Sequence, residues 1–183
     1  MSKHALGMIE VASIPAGIEA GDAMMKAADV ELVSAHPVCA GKYIVVVTGE
    51  VSAVKSSVQT GEECAGMKLV DSVVIPNVDE QVPAAIVMCN EVGEVGAIGS
   101  VELFSLCAAV TAADTIVKAA NVKLIEVRLG RGLGGKAFII LTGEVAAVNA
   151  AIRVAKALDE VQGLMSEIVV IPSPHPDIVN ALM

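Results

Sequence analysis

Residues 5–11, Ala-Leu-Gly-Met-Ile-Glu-Val, are apolar at nearly every position and read as a first strand. Ser13 then offers an N-cap and Pro15 a first-turn proline. The helix they start carries Ile18, Met25 and Ala28 on one side, with Glu19, Asp22 and Lys26 elsewhere. A second strand is predicted from Val30 to about Ala35, followed by a loop from His36 to Lys42. The unbroken apolar run Tyr43-Ile-Val-Val-Val47 marks a central strand covered on both faces. Thr48-Gly-Glu50 reads as the turn into a second helix, with Val51, Val54 and Val58 at i, i+3 and i+7 and Gly61 as its stop. Residues 68–76 return as a fourth strand, and 79–89 form a short, partly helical tail.

After a Gly- and Glu-containing connector, Glu91 to Gly96, the same order is predicted again. It runs strand 97–103, helix 107–119, strand 122–128, loop 129–135, strand 136–142, helix 145–157, strand 166–171 and a tail from Pro172. Residue identity supports the recurrence. Thr48-Gly-Glu-Val-Ser-Ala-Val54 returns as Thr142-Gly-Glu-Val-Ala-Ala-Val148 with six of seven residues identical. Gly21-Asp-Ala-Met-Met-Lys-Ala-Ala-Asp-Val30 returns as Ala113-Asp-Thr-Ile-Val-Lys-Ala-Ala-Asn-Val122. The offset is 92 for the earlier pair and 94 for the later one, so two residues are added between them. A unit of roughly ninety residues is duplicated in tandem, with domains expected at 1–92 and 93–183. The order βαββαβ in each is the split ferredoxin-like unit, an α+β fold.

Composition narrows the function classes. Charged residues make up 18% and the mean hydropathy is +0.71, yet no run approaches the ~18 apolar residues of a membrane-spanning helix. Such a chain is expected to hide surface against copies of itself. A net charge of −9 argues against nucleic acid as a partner, because phosphate binding needs a basic face. The first residues, Met1-Ser-Lys-His-Ala5, lack the apolar core of a secretory signal, so a cytoplasmic protein is expected. The cysteines at 39, 64, 89 and 107 have no paired spacing and are read as free, buried or metal-binding rather than disulfide-bonded. His4, His36 and His175 are scattered, no nucleophile has a base at recognisable spacing, and no enzyme activity is expected. Glu10 and Glu102 recur at equivalent positions and are read as structural.

The copies diverge most in the loop between their second and third strands. The first reads Pro37-Val-Cys-Ala-Gly-Lys42; the second reads Gly130-Arg-Gly-Leu-Gly-Gly-Lys136 and is two residues longer. Gly130, Gly132 and Gly135 satisfy G-x-G-x-x-G, but an apolar strand follows where a dinucleotide site needs a helix. Glycines that allow tight backbone packing are the better account.

Gly7-Met-Ile-Glu10, Asp22-Ala-Met-Met-Lys-Ala-Ala28, Thr48-Gly-Glu-Val51 and Ile171-Pro-Ser-Pro-His175 together resemble the bacterial microcompartment shell-protein domain. Both copies match over most of their length and begin at the usual first strand, as in the unpermuted tandem class. The resemblance implies a flat structural tile in which three chains form a pseudo-hexameric homotrimer alongside other shell proteins, with neither nucleic acid nor membrane as partner. It implies that the loops His36, Pro37, Val38, Cys39, Ala40 and Gly41, and Gly130, Arg131, Gly132, Leu133, Gly134 and Gly135, line a central pore. It places Lys26, Lys118 and His175 at the tile edge, where Ser173 stands in place of an arginine common in the family.

Cys39-Ala-Gly-Lys42 also resembles the Cys-x-Gly-Lys loop of the propanediol-utilisation type of tandem shell protein, with Ala40 where proline is common. That type holds a [4Fe–4S] cluster in its pore. The implied metal ligand is Cys39, one from each of three chains, with one cluster per trimer used for electron transfer across the shell or for redox gating. On the residues alone, Cys39 is read as a free or buried thiol, because a lone cysteine is usually a small apolar side chain; a site for zinc or another soft metal is the minor reading. Cys64, Cys89 and Cys107 are assigned to packing. Two further readings stand beside this one: a tile whose pore conducts metabolites without a metal, and a ferredoxin-like regulatory oligomer that binds a small effector.

Overall fold

The structure, a computed structural model, describes residues 4–183. Contacts divide it into two compact units. One runs to Val78 and takes in Gly130–Gly135; the other comprises Asp79–Leu129 and Lys136–Met183.

In the first unit β1 (His4–Val11), α1 (Ile14–Ala27), β2 (Val30–Val38), β3 (Lys42–Glu50), α2 (Val51–Ala65) and β4 (Leu69–Ile75) follow one another. In the second, α3 (Gln81–Ile86) precedes β5 (Ala97–Leu103), α4 (Leu106–Ala119), β6 (Val122–Leu129), β7 (Ala137–Gly143), α5 (Val145–Lys156), β8 (Met165–Ile171) and α6 (Pro176–Leu182). The sheet orders are β2-β3-β1-β4 and β6-β7-β5-β8, and the strand pairs are antiparallel. Each unit is therefore the expected ferredoxin-like fold.

The duplication extends to irregularities. A bulge falls between Glu10 and Val11 and again between Glu102 and Leu103; another lies between Leu32 and Ser34 and again between Leu124 and Glu126. The partners Leu6↔Ile75 and Ile98↔Ile171 put the last strands at an offset of 96. A second two-residue insertion therefore precedes β8.

The repeated Thr-Gly ends a strand rather than forming a turn, Thr48-Gly-Glu50 in β3 and Thr142-Gly143 in β7, and its chemistry explains its recurrence. Thr48 Oγ1 donates to the Ala5 carbonyl at 2.9 Å, and Thr142 Oγ1 donates to the Ala97 carbonyl at the same distance. A Cβ on Gly49 would stand 3.4 Å from the Asp29 carbonyl oxygen, and one on Gly143 3.2 Å from that of Asn121. The threonine fastens one neighbour strand and the glycine lets the other pass.

Ser13 and Ser105 cap α1 and α4 by accepting from the amides of Ala16 and Ala108. Gly61 does not stop α2. The helix continues to Ala65 and ends at Gly66, whose positive φ of 53° is a conformation that glycine adopts without a side-chain penalty. Gly61 is instead buried against Met24 and Ile9, where α1 and α2 pack closely over the sheet. The core of this layer is Ile9, Val11, Ala20, Met24, Val45, Val47, Val54 and Val58.

The predicted tail of the first copy belongs to the second unit. Asp79 N donates to Asp114 Oδ1 at 2.9 Å. Asn90 Nδ2 donates to the Leu124 carbonyl at 2.9 Å, and Leu124 N donates to Gln81 Oε1 at 3.2 Å. Leu124 lies on an edge strand, whose outward backbone groups need partners, and these side chains provide them.

Candidate metal centre

β2 runs on to Val38, so His36 and Pro37 are strand residues rather than loop. Proline is tolerated because β2 is an edge strand. The turn is left with Cys39, Ala40 and Gly41. Across the neighbouring strands, Glu10 on β1 pairs with Lys42 at the start of β3. Lys136 pairs with Glu102 at 2.8 Å at the foot of the second loop, and the lysine holds the Glu102 carboxyl below its ordinary range, helped by Ser166. The recurring glutamates thus have the structural role expected of them. Arg128 pairs with Glu126 and lies 5.0 Å from the centroid of the Phe138 ring across the β6–β7 ladder, a cation–π contact that steadies the loop's base.

The Gly130–Gly135 loop packs with the first unit, which brings the β6–β7 loop against the β2–β3 turn. Cys39 N donates to the Gly130 carbonyl at 3.0 Å. Gly130, Gly132, Gly134 and Gly135 all have positive φ, a Cβ on Gly135 would stand 3.7 Å from the Cys39 carbonyl oxygen, and backbone hydrogen bonding from residues 132–135 acts on the Cys39 thiol. Gly132 leads, then Gly134 and Leu133, in pulling the thiol below its ordinary range. Successive amides of this kind form an anion-binding nest, an arrangement shared with many iron–sulfur sites.

His36 is half-buried and hydrogen-bonded at Nδ1 to Ser34 Oγ, 2.8 Å away. Burial, and to a lesser degree the Arg131 guanidinium, push its pKa down. A group that binds its proton less readily folded than unfolded removes stability as pH falls from the unfolded value of about 6.5. Arg131→Gln is therefore expected to raise the His36 pKa and flatten that loss, while burial still keeps it below a free imidazole. An NMR titration of His36 reads this directly; no upward shift would show that Arg131 does not act on the ring.

Among the described residues no three His, Cys, Asp or Glu side chains gather to hold a metal ion. One chain supplies one thiolate, so a four-iron cluster fits only where copies of Cys39 converge. The donor itself fits: a partly accessible sulfur held toward thiolate by backbone amides. The amide donors were missed in the sequence, where four glycines in the loop opposite a cysteine-bearing loop were the available signal.

The expected edge residues lie elsewhere. Lys26 on α1 pairs with Asp22 and Lys118 on α4 pairs with Asp114, each at i, i+4, while exposed His175 caps α6 by accepting from the Asp177 amide at 3.2 Å. Among the described residues no cysteine is in a disulfide. Cys107 is buried, but Cys64 and Cys89 are exposed, which corrects their assignment to packing: Cys64 lies in the last turn of α2 and Cys89 beyond the end of α3, where the chain turns to solvent.

The BMC domain family matches residues 5–78 and again 97–174. The bacterial microcompartment shell protein PduT of Citrobacter freundii is 43% identical over 172 residues, 94% of each chain. The carboxysome assembly protein CcmO of Synechococcus elongatus is 30% identical over 191 residues, covering 97% of this chain and 68% of that one. The crystal structure of a microcompartments protein from Desulfitobacterium hafniense DCB superposes with a TM-score of 0.92 at 44% identity, covering 97% and 98% of the two chains. With both units matched and the same fold found in each, the chain belongs to the BMC-domain family of bacterial microcompartment shell proteins, carrying two copies of the domain in tandem.

Proposed function

We propose that this chain is a shell tile whose three copies close a pseudo-hexameric ring, with Cys39 of each copy binding one [4Fe–4S] cluster at the threefold axis. The carrying observation is the packing of the Gly130–Gly135 loop on the Cys39 turn, where Cys39 N donates to the Gly130 carbonyl at 3.0 Å and a Cβ on Gly135 would stand 3.7 Å from the Cys39 carbonyl oxygen; backbone hydrogen bonding from this loop holds the thiol below its ordinary range. Three thiolates leave one iron for a non-cysteine donor, since such clusters normally take about four ligands. The cluster would supply one-electron transfer between the two faces of the shell. The chain's residues hold the thiolates ready, and hydrogen bonds to sulfur tune a cluster's potential. Neutral His36 lines the approach beside Arg131. Lys26, Lys118 and His175 are proposed to meet neighbouring tiles, including other shell proteins.

Anaerobic purification tests the cofactor. Iron and acid-labile sulfide are each expected at roughly four per three chains, with a brown absorbance. A trimer lacking all three would leave a tile with a pore and a free thiol, and would end the redox half of the proposal.

A further inference from the structure

The two copies present the same surface in opposite states. In the second unit, residues 79–92 lie over α4 and β6, and α3 packs against both; Val110 and Leu124 there are fully buried, as are Val82 and Ala85 on the covering segment. In the first unit the corresponding Ile18 and Leu32 are 55% and 51% exposed, and Ile14 and Met25 are also open. A shallow groove of about 200 Å³ runs between them, lined by Ile18, Gly21, Met25, Leu32 and Tyr43. Asp114 is 9% exposed where it accepts from the Asp79 amide, whereas its counterpart Asp22 is 62% exposed.

At the offset of 96, the segment matching 79–87 is 175–183. It carries the complementary surplus: Ile178, at the position of buried Val82, is 52% exposed, and Ala181, at that of Ala85, is exposed as well. His175 stands where Asp79 does and keeps a backbone N–H to offer, and Asp177 stands at Gln81 with an acceptor.

We infer that residues 175–183 of one copy dock on the α1–β2 groove of another copy's first unit. Ile178 and Ala181 enter between Ile18, Met25 and Leu32, and the His175 amide donates to Asp22. Each chain then offers one donor segment and one groove, a heterologous contact that must close into a ring or run on as a filament. This rests on the ring proposed above and names the joint that closes it.

Disulfide trapping tests the joint. Asp22→Cys and His175→Cys are combined in a chain whose exposed Cys64 and Cys89 are serine, with each single variant as control. On oxidation, a covalent trimer is expected from the double variant alone. A trimer by sedimentation that yields no cross-link overturns this docking and leaves the ring standing; a monomer overturns both. Ile178→Asp gives an independent reading, because a carboxylate must then enter an apolar groove. Its assembly midpoint is expected to move to at least about tenfold higher protein concentration, the loss typical of a truncated interface anchor. An unchanged midpoint would also overturn the docking.

Discussion

Cys39→Ser is expected to remove iron, acid-labile sulfide and visible absorbance completely while the oligomer and its thermal midpoint stay where they were. Chemistry and position argue together. A serine hydroxyl is a hard, weakly acidic ligand, whereas iron in such clusters is held by soft thiolate sulfur. Cys39 sits at the tip of a turn and outside the packed core. Its backbone N–H to the Gly130 carbonyl does not involve the side chain, and the amides of 132–135 would find an oxygen in place of sulfur. The stability change is therefore expected within about 0.5 kcal/mol, as for substitutions away from core and caps. Retained colour would place any cluster elsewhere; a dissociated oligomer would show that the turn is part of the assembly contact.

Met24→Ala is expected to cost the first unit about 2–5 kcal/mol, the range for emptying a fully buried site of that size. Met24 is fully buried in the α1–α2 layer. Its neighbour Gly61 leaves no room for a methyl, which would stand 2.7 Å from Met24 Cγ and 3.1 Å from Ile9 Cδ1. Gly61→Ala alone sets overpacking of about 1–3 kcal/mol against a gain in helix propensity near 1 kcal/mol. It is expected to destabilise slightly. In the double variant the methyl enters space that Met24 has vacated and the propensity gain remains. The pair should therefore lose about 1–3 kcal/mol less than the sum of the singles, a coupling typical of residues in contact. Denaturant midpoints for the three variants and the parent measure the cycle; additive losses would show that Gly61 and Met24 do not share that space.

The framework was legible because a repeated sequence states its own register. Ser13 and Pro15 announce α1, the apolar run Tyr43–Val47 announces a central strand, and the second copy repeats both strand order and spacing. Local signals misled where a distant partner decided. Thr48-Gly-Glu50 carries turn-like residues, yet Thr48 bonds Ala5 and Gly49 passes Asp29, both far along the chain. Gly61 has the composition of a stop but serves the close packing of two helices. At the site, Cys39 stood out as a residue type in a loop. The amides aimed at it come from the other copy's loop, ninety residues on, and backbone donors leave no mark in residue identity beyond the glycines that free them.

Residues 79–92 are encoded in the first copy but packed with the second, and residues 130–135 are encoded in the second but packed with the first. A gene cut at the repeat boundary would therefore yield two damaged products. The upstream piece would keep Cys39 without the amides that favour its thiolate, and would carry Val82 and Ala85 bare. The downstream piece would lose the cover over Leu124 and the edge of β6. What began as two interchangeable copies has become a pair that must be inherited whole.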